Sequence, residues 1–304
     1  MAGRYPALGT EVTAVGDAST WGKFRALRKE ECEMTREQKY ETFRALHERA
    51  GAFVIPNPWD AGTARILTAL GFEALATTSG GAAFAAGLRD SPDGLTRDQI
   101  LGNAKEMVEA THLPVSADLE NGFGRSPEAC AETIRMAAEI GLAGGSIEDA
   151  SGDAKDPIYE FGLAVERVAA AAKAARECKF VLTARAENFL HGREDLDDTI
   201  RRLQAFAEAG ADVVYAPAIP GIAAIRQVCG SVSKPVNVLM GLKGATFSVD
   251  ELAAAGAKRI SVGGSLARAA LGAFVRAARE VKEKGTFSYA AEAISHAEVS
   301  GYMR

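Results

Sequence analysis

Four predicted helices end on a glycine, at Gly71, Gly141, Gly210 and Gly256, and within a few positions of each an apolar or β-branched run begins. Glycine takes the left-handed turn that ends a helix, and a short apolar run behind it reads as a buried strand, so each pair is the α-to-β join of a repeating unit. Strands are expected over 52–55, 74–78, 115–118, 146–149, 181–185, 213–216, 236–239 and 259–262. Helices are expected over 61–70, 97–111, 127–140, 163–177, 196–209, 222–229, 249–255 and 265–284, after a leading helix over 36–50. About eight such units in roughly 230 residues predict an α/β fold of the closed (β/α)8 TIM type rather than an open doubly wound sheet. No G-x-G-x-x-G opens a helix after the first strand, which argues against a dinucleotide fold.

The expected organisation is an N-terminal extension over 1–35, with a short helix from Trp21 to Glu31, a barrel domain over 36–285 and a C-terminal tail over 286–304. With 47% hydrophobic and 25% charged residues in 304, the chain can bury one large core. A net charge of −5 gives no electrostatic reason for nucleic acid or an anionic membrane as partner. Cys32, Cys130, Cys178 and Cys229 have no C-x-x-C spacing, so neither a disulfide framework nor a zinc site is expected, and a cytoplasmic location fits. No apolar run approaches the ~18 residues that span a bilayer.

In such a barrel the chemistry lies at the C-terminal ends of the strands. The run Leu113-Pro114-Val115-Ser116-Ala117-Asp118-Leu119-Glu120-Asn121-Gly122-Phe123-Gly124 delivers two carboxylates to a strand end and follows them with glycines that let the backbone turn tightly. Ser146-Ile147-Glu148-Asp149 ends in acids again, and Val181 to Arg185 ends in a cation. Asp118, Glu120, Glu148 and Arg185 therefore gather on one rim. Without thiolate or imidazole, that rim suits Mg²⁺ or Mn²⁺. Trp59, Ser79, Gly80, Gly81 and Asn237 also fall at strand ends. Ser79-Gly80-Gly81 reads either as an anion nest or as a tight turn that needs glycine. Arg185 reads either as a two-pronged carboxylate clamp or as the counter-charge for Glu148 and Glu187.

These motifs together identify a resemblance. Asn57-Pro58-Trp59-Asp60-Ala61, Thr78-Ser79-Gly80-Gly81, Asp118 with Glu120 and Gly122-x-Gly124, Ile147-Glu148-Asp149 and Ala184-Arg185 resemble the isocitrate lyase/phosphoenolpyruvate mutase superfamily over residues 40 to 285. The resemblance implies Mg²⁺ near Asp118, Glu120 and Glu148, partly through water. It also implies a 2-oxo acid whose carboxylate meets Ser79-Gly80-Gly81 and Arg185. It makes Asp90, or Asp93 in its place, a further catalytic acid, and Asn237 a substrate contact. It further implies a last helix exchanged between subunits of a homodimer, with tetramers built from such dimers.

The departures bear on the substrate. The lyases carry a Lys-Lys-Cys-Gly-His or Lys-Arg-Cys-Gly-His loop after the Glu148 position, whose Cys is a general acid; here Ala150 to Tyr159 holds neither Cys nor His. Tyr215-Ala216-Pro217-Ala218 replaces the lyases' Phe-Pro-Glu-Ala, and the Asn-bearing gating loop of the mutases is missing. The expected function is a Mg²⁺-dependent lyase that breaks a C–C bond beside a small 2-oxo or 2-hydroxy carboxylate through a metal-stabilised enolate. A C–P phosphonomutase or phosphonopyruvate hydrolase, and a non-catalytic barrel that binds a 2-oxo acid, are the alternatives.

Overall fold

The computed structural model describes residues 34–303, apart from 92, 93, 243 and 245. Cys32, Asp93 and the expected leader, except Met34 and Thr35, lie outside the described residues. Eight parallel strands, β1 Phe53–Ile55, β2 Leu75–Ala76, β3 Val115–Asp118, β4 Gly144–Glu148, β5 Val181–Arg185, β6 Val213–Tyr215, β7 Val236–Leu239 and β8 Arg259–Ser261, run in the order β1-β8-β7-β6-β5-β4-β3-β2. At the remaining seam Ala76 N donates to Pro56 O at 3.0 Å, which brings the sheet round to a nearly closed barrel. Asn57 reinforces that seam: its amide donates to Thr77 O at 2.9 Å and accepts from Val262 N and Gly263 N at 3.0 and 2.9 Å. The helices are α1 Arg36–Glu48, α2 Ala61–Ala69, α3 Ser79–Ala85, α4 Arg97–Ala110, α5 Pro127–Glu139, α6 Phe161–Cys178, α7 Leu196–Glu208, α8 Gly221–Ser231, α9 Val249–Ala254, α10 Ser265–Lys284 and α11 His296–Tyr302. Among the described residues no helix is long and apolar enough to cross a membrane.

The local signals that start these helices are those of the sequence. Thr35 with Gln38, Thr96 with Gln99 and Ser248 with Glu251 form reciprocal capping boxes. Helix α1 closes the bottom of the barrel: Phe43 and Leu46 pack with Phe53, Ile55, Val181 and Val213. Burying a Phe this way contributes about 2–3 kcal/mol. Its ring explains why β4 begins two residues before the expected start, on glycine. A Cβ at Gly144 would lie 2.7 Å from both the Phe43 ring and Val181 O, so only glycine lets strand and plug meet.

Two other expectations are adjusted, and the tail adds an element. The second strand is shorter than expected, Leu75–Ala76 rather than 74–78. Ser79-Gly80-Gly81 is the first turn of α3 rather than a loop, because Thr78 caps that helix through Gly81 N. The tail carries helix α11, and Arg65 of α2 donates to Met303 O at 3.4 Å, so the tail folds back on the barrel's own helix layer.

Inside the barrel the side chains change character with height. The apolar floor gives way to Ser116, Ser146, Thr183, Asn237, Arg259 and Ser261, all buried, and above them stand Asp118, Glu148 and Arg185. The polar end is the C-terminal end of the strands.

Candidate active site

Arg185 is the hub of that end. Its three nitrogens each meet a different carboxylate: Nη1 pairs with Asp118 Oδ1 at 2.9 Å, Nη2 with Glu148 Oε2 at 3.1 Å and Nε with Glu187 Oε1 at 2.8 Å. Adjacent strands in register make this possible, since Glu148 lies beside Arg185 and Arg185 beside Tyr215. The Tyr215 ring takes the guanidinium at 5.2 Å from its centroid. Burial works against the charge on Arg185, but Glu187, Glu148 and Asp118 hold its pKa well above the ordinary arginine range. The counter-charge reading of Arg185 describes these contacts; two of its five N–H donors stay available to a ligand.

Ser79 links the glycine turn to the acids, with its hydroxyl donating to Asp118 Oδ2 at 3.0 Å and its N–H pointing there at 3.5 Å. Gly81 N is taken by the Thr78 hydroxyl. Two of the three amides of the expected nest thus already serve protein oxygens. The glycines are also needed for space: a Cβ at Gly80 would meet Asp90 Oδ2 at 2.6 Å, and one at Gly81 would meet the Trp59 Cβ at 2.8 Å. Without those Cβ atoms there is room for Asp90 and Trp59 against the Ser79 turn.

Glu120 follows β3 with φ of 49°, a left-handed backbone that a non-glycine residue adopts at a cost of order 1–3 kcal/mol. Burial, and then the charge of Asp118, push its carboxyl up to about 7. Burial also raises Glu148 well above the carboxylate range against the pull of Arg185, and partial burial with Asp118 raises Asp90. One arginine does not neutralise Asp90, Asp118, Glu120, Glu148 and Glu187, so the cluster is short of positive charge. Among the described residues no three carboxylates, imidazoles or thiols converge as a direct ligand set. A hard cation that keeps most of its waters and takes one or two carboxylates fits such a site, and Mg²⁺ behaves this way.

Several supports carry no motif. Asp149, buried, accepts from Glu187 N at 2.8 Å and from Arg202 Nη1 at 3.1 Å, which fixes the turn that aims Glu187 at Arg185. Arg167 of α6 is 1% exposed, lies over the Tyr159 ring and donates to Gly124 O, Arg125 O and Asn121 O, so it staples the Gly-x-Gly turn after β3. The sequence signal for it was a lone arginine on the inward face of an alanine-rich helix. Asn237 is fully buried, accepting from Arg259 and donating to Ser261, on the Thr183 side of Arg185 rather than among the rim acids. Asp60 caps α2, and His191 is exposed on a 3₁₀ turn. The segment from Ala150 to Tyr159 is a small self-bonded loop with an antiparallel bridge between Ala150 and Ile158 and no thiol.

The chain matches the family model described as phosphoenolpyruvate phosphomutase over residues 43–282. The 2-methylisocitrate lyase of Escherichia coli (strain K12) is 32% identical over 225 residues, 71% of this chain and 75% of its own length. A protein of Burkholderia cenocepacia J2315, provisionally described as a lyase/mutase, has a solved structure with a TM-score of 0.85 at 58% identity, covering 88% of this chain and 96% of that one. The phosphoenolpyruvate phosphomutase of Streptomyces platensis subsp. rosaceus gives a TM-score of 0.77 at 27% identity, over 87% of this chain and 94% of that one.

Proposed function

The chain belongs to the isocitrate lyase/phosphoenolpyruvate mutase superfamily, and from that premise we propose that it is a Mg²⁺-dependent lyase that breaks a C–C bond beside a small 2-oxo or 2-hydroxy carboxylate. The observation that carries this reading is the acid cluster around Arg185, which has too little positive charge for its carboxylates and lies at the strand ends.

Asp118 and Glu120 would hold the cation, with Glu148 reached through water. When bound it supplies Lewis-acid polarisation to the substrate's oxygens. The chain's own residues do the rest. Breaking the bond leaves an electron pair on the departing fragment, and fixed positive groups lower that barrier when they are in place beforehand. Arg185 is fixed by three carboxylates, and its two remaining N–H donors orient the substrate's carboxylate. Ser79 holds Asp118 from the other side. Asp90, raised by burial and Asp118, moves a proton at its carboxyl oxygen, a role for which the thiol-free loop from Ala150 to Tyr159 offers no group.

The partner molecule is thus a small carboxylate, and a homodimer or homotetramer in the cytoplasm completes the reading. Helix α10 exposes Leu271, Phe274, Val275 and Val281, an apolar surface that a second copy would cover. The matching family model favours one other chemistry, C–P bond rearrangement or hydrolysis. Incubation with phosphonopyruvate and, separately, with 2-oxo and 2-hydroxy dicarboxylic acids distinguishes them. Carbon fragments from the second set support the lyase; phosphate or phosphoenolpyruvate from the first replaces it. Saturable binding with turnover of neither leaves a 2-oxo acid binding barrel.

A further inference from the structure

Arg259, on β8, is 4% exposed and faces the barrel interior, yet among the described residues no carboxylate pairs with it. Its Nε donates to Asn237 Oδ1 at 2.9 Å and its Nη1 to Thr183 Oγ1 at 3.0 Å, and Nη2 has no acceptor there. A buried guanidinium served only by neutral groups is expensive to keep charged, and burial pulls this one down to about 10. The rim acids do not relieve it, because three of them are turned onto Arg185.

Above Arg259 lies a cavity of about 50 Å³, several times the space one water needs, which extends up to Asp118. Its wall includes Ser116, Ser146 and Tyr215, each under a tenth exposed, whose hydroxyls have no partner among the described residues. Asp118 is the one acid on the wall, and its oxygens are held by Ser79 and Arg185. The wall thus carries three unpartnered hydroxyls and one cation that, among the described residues, has no carboxylate against it. Water would satisfy the hydroxyls without neutralising the charge.

We infer that this cavity is a second anion subsite, in which Arg259 with Ser116, Ser146 and Tyr215 takes the far carboxylate of a short dicarboxylic acid whose near end lies at the Arg185 rim. The inference rests on the carboxylate reading given above. Arg259 reaches Thr183, two residues before Arg185 on β5, a rise of about 6.6 Å along that strand. A four-carbon diacid bridges that gap, whereas a four-carbon monocarboxylate leaves Arg259 without its anion.

Malate and 2-hydroxybutyrate differ in that far group alone. Titration calorimetry with Mg²⁺ on the full chain should show malate binding at least roughly tenfold more tightly, the loss expected when a buried charge lacks its partner. In Arg259→Met the preference should vanish through weaker malate binding, with 2-hydroxybutyrate unchanged. Methionine fills similar volume without charge, a change buried ion sites commonly tolerate. Should that variant not fold, Ser146→Ala decides: selective weakening of malate supports the subsite, and equal affinities for native and variant overturn it. A malate preference that survives Arg259→Met, or no preference in the native chain while 2-hydroxybutyrate still binds, refutes the subsite alone. Binding of neither acid refutes the subsite and the carboxylate reading together.

Discussion

At Arg185 a single guanidinium organises three strands, and its geometry decides what a substitution does. Lysine keeps the charge but cannot present nitrogens to Asp118, Glu148 and Glu187 in one plane. Arg185→Lys should therefore lower kcat/KM more than about tenfold; a change under roughly threefold, or about 0.7 kcal/mol, would mean that charge alone suffices. Asp118 behaves differently, because the rim has more acids than cations. Asp118→Ala removes a proposed cation ligand and also one source of repulsion on Glu120, so activity should be lost while calorimetric stability holds or rises. A variant with normal Mg²⁺-dependent turnover would remove Asp118 from the site. The rim acids and Arg185 were legible in sequence because each ends a short apolar run, and position along the strand gives height in the barrel. The contacts of Arg185 were not, since a strand end can serve a ligand or its neighbours equally. Arg259 was missed because it stands at the start of its strand, where a charged residue reads as exposed.

Helix α1 joins the barrel floor to the polar interior above it. His47, with Nδ1 2.8 Å from Phe43 O and its ring edge-on to Phe43 and Phe53, is buried, and burial with the nearby Arg259 charge pushes its pKa down to about 3. The folded state thus resists protonation that the unfolded chain accepts at its ordinary value near 6.5. Stability should be full above pH 6.5 and fall as pH drops from there toward 3, by about 3 kcal/mol at pH 4 at most, from 1.36 kcal/mol per pKa unit. Urea melts of native chain and His47→Gln from pH 7 to pH 4 check this: the difference between them should shrink as pH falls, and a constant difference would contradict it. The 3.6-residue spacing of Tyr40, Phe43, Leu46 and His47 gave α1 its inward face. It could not say that the partner was a glycine in β4, because Gly144 contributes no side chain to any pattern and reveals itself only through the Phe43 ring beside it.

Eight repeats of one unit make the architecture legible before any contact is known, since each glycine-closed helix returns the chain to the same sheet in the same direction. Assembly leaves a weaker trace. The α10 sequence reads as an ordinary amphipathic helix, and only its place in the barrel shows that Phe274, 69% exposed, faces outward with Leu271 and Val275 nearby. Phe274→Asp should convert the proposed oligomer to smaller species in sedimentation experiments; an unchanged mass would place the interface elsewhere. The acid rim is proposed as a cation-dependent centre for C–C cleavage. Its most direct test is turnover of 2-oxo and 2-hydroxy dicarboxylic acids by the full chain after chelation and after titration with Mg²⁺, with carbon fragments quantified and Asp118→Ala run alongside. On this assignment cleavage disappears on chelation, returns with added Mg²⁺ and does not return in Asp118→Ala. Cleavage that persists undiminished in chelator, or that Asp118→Ala restores with Mg²⁺ as the native chain does, would contradict it.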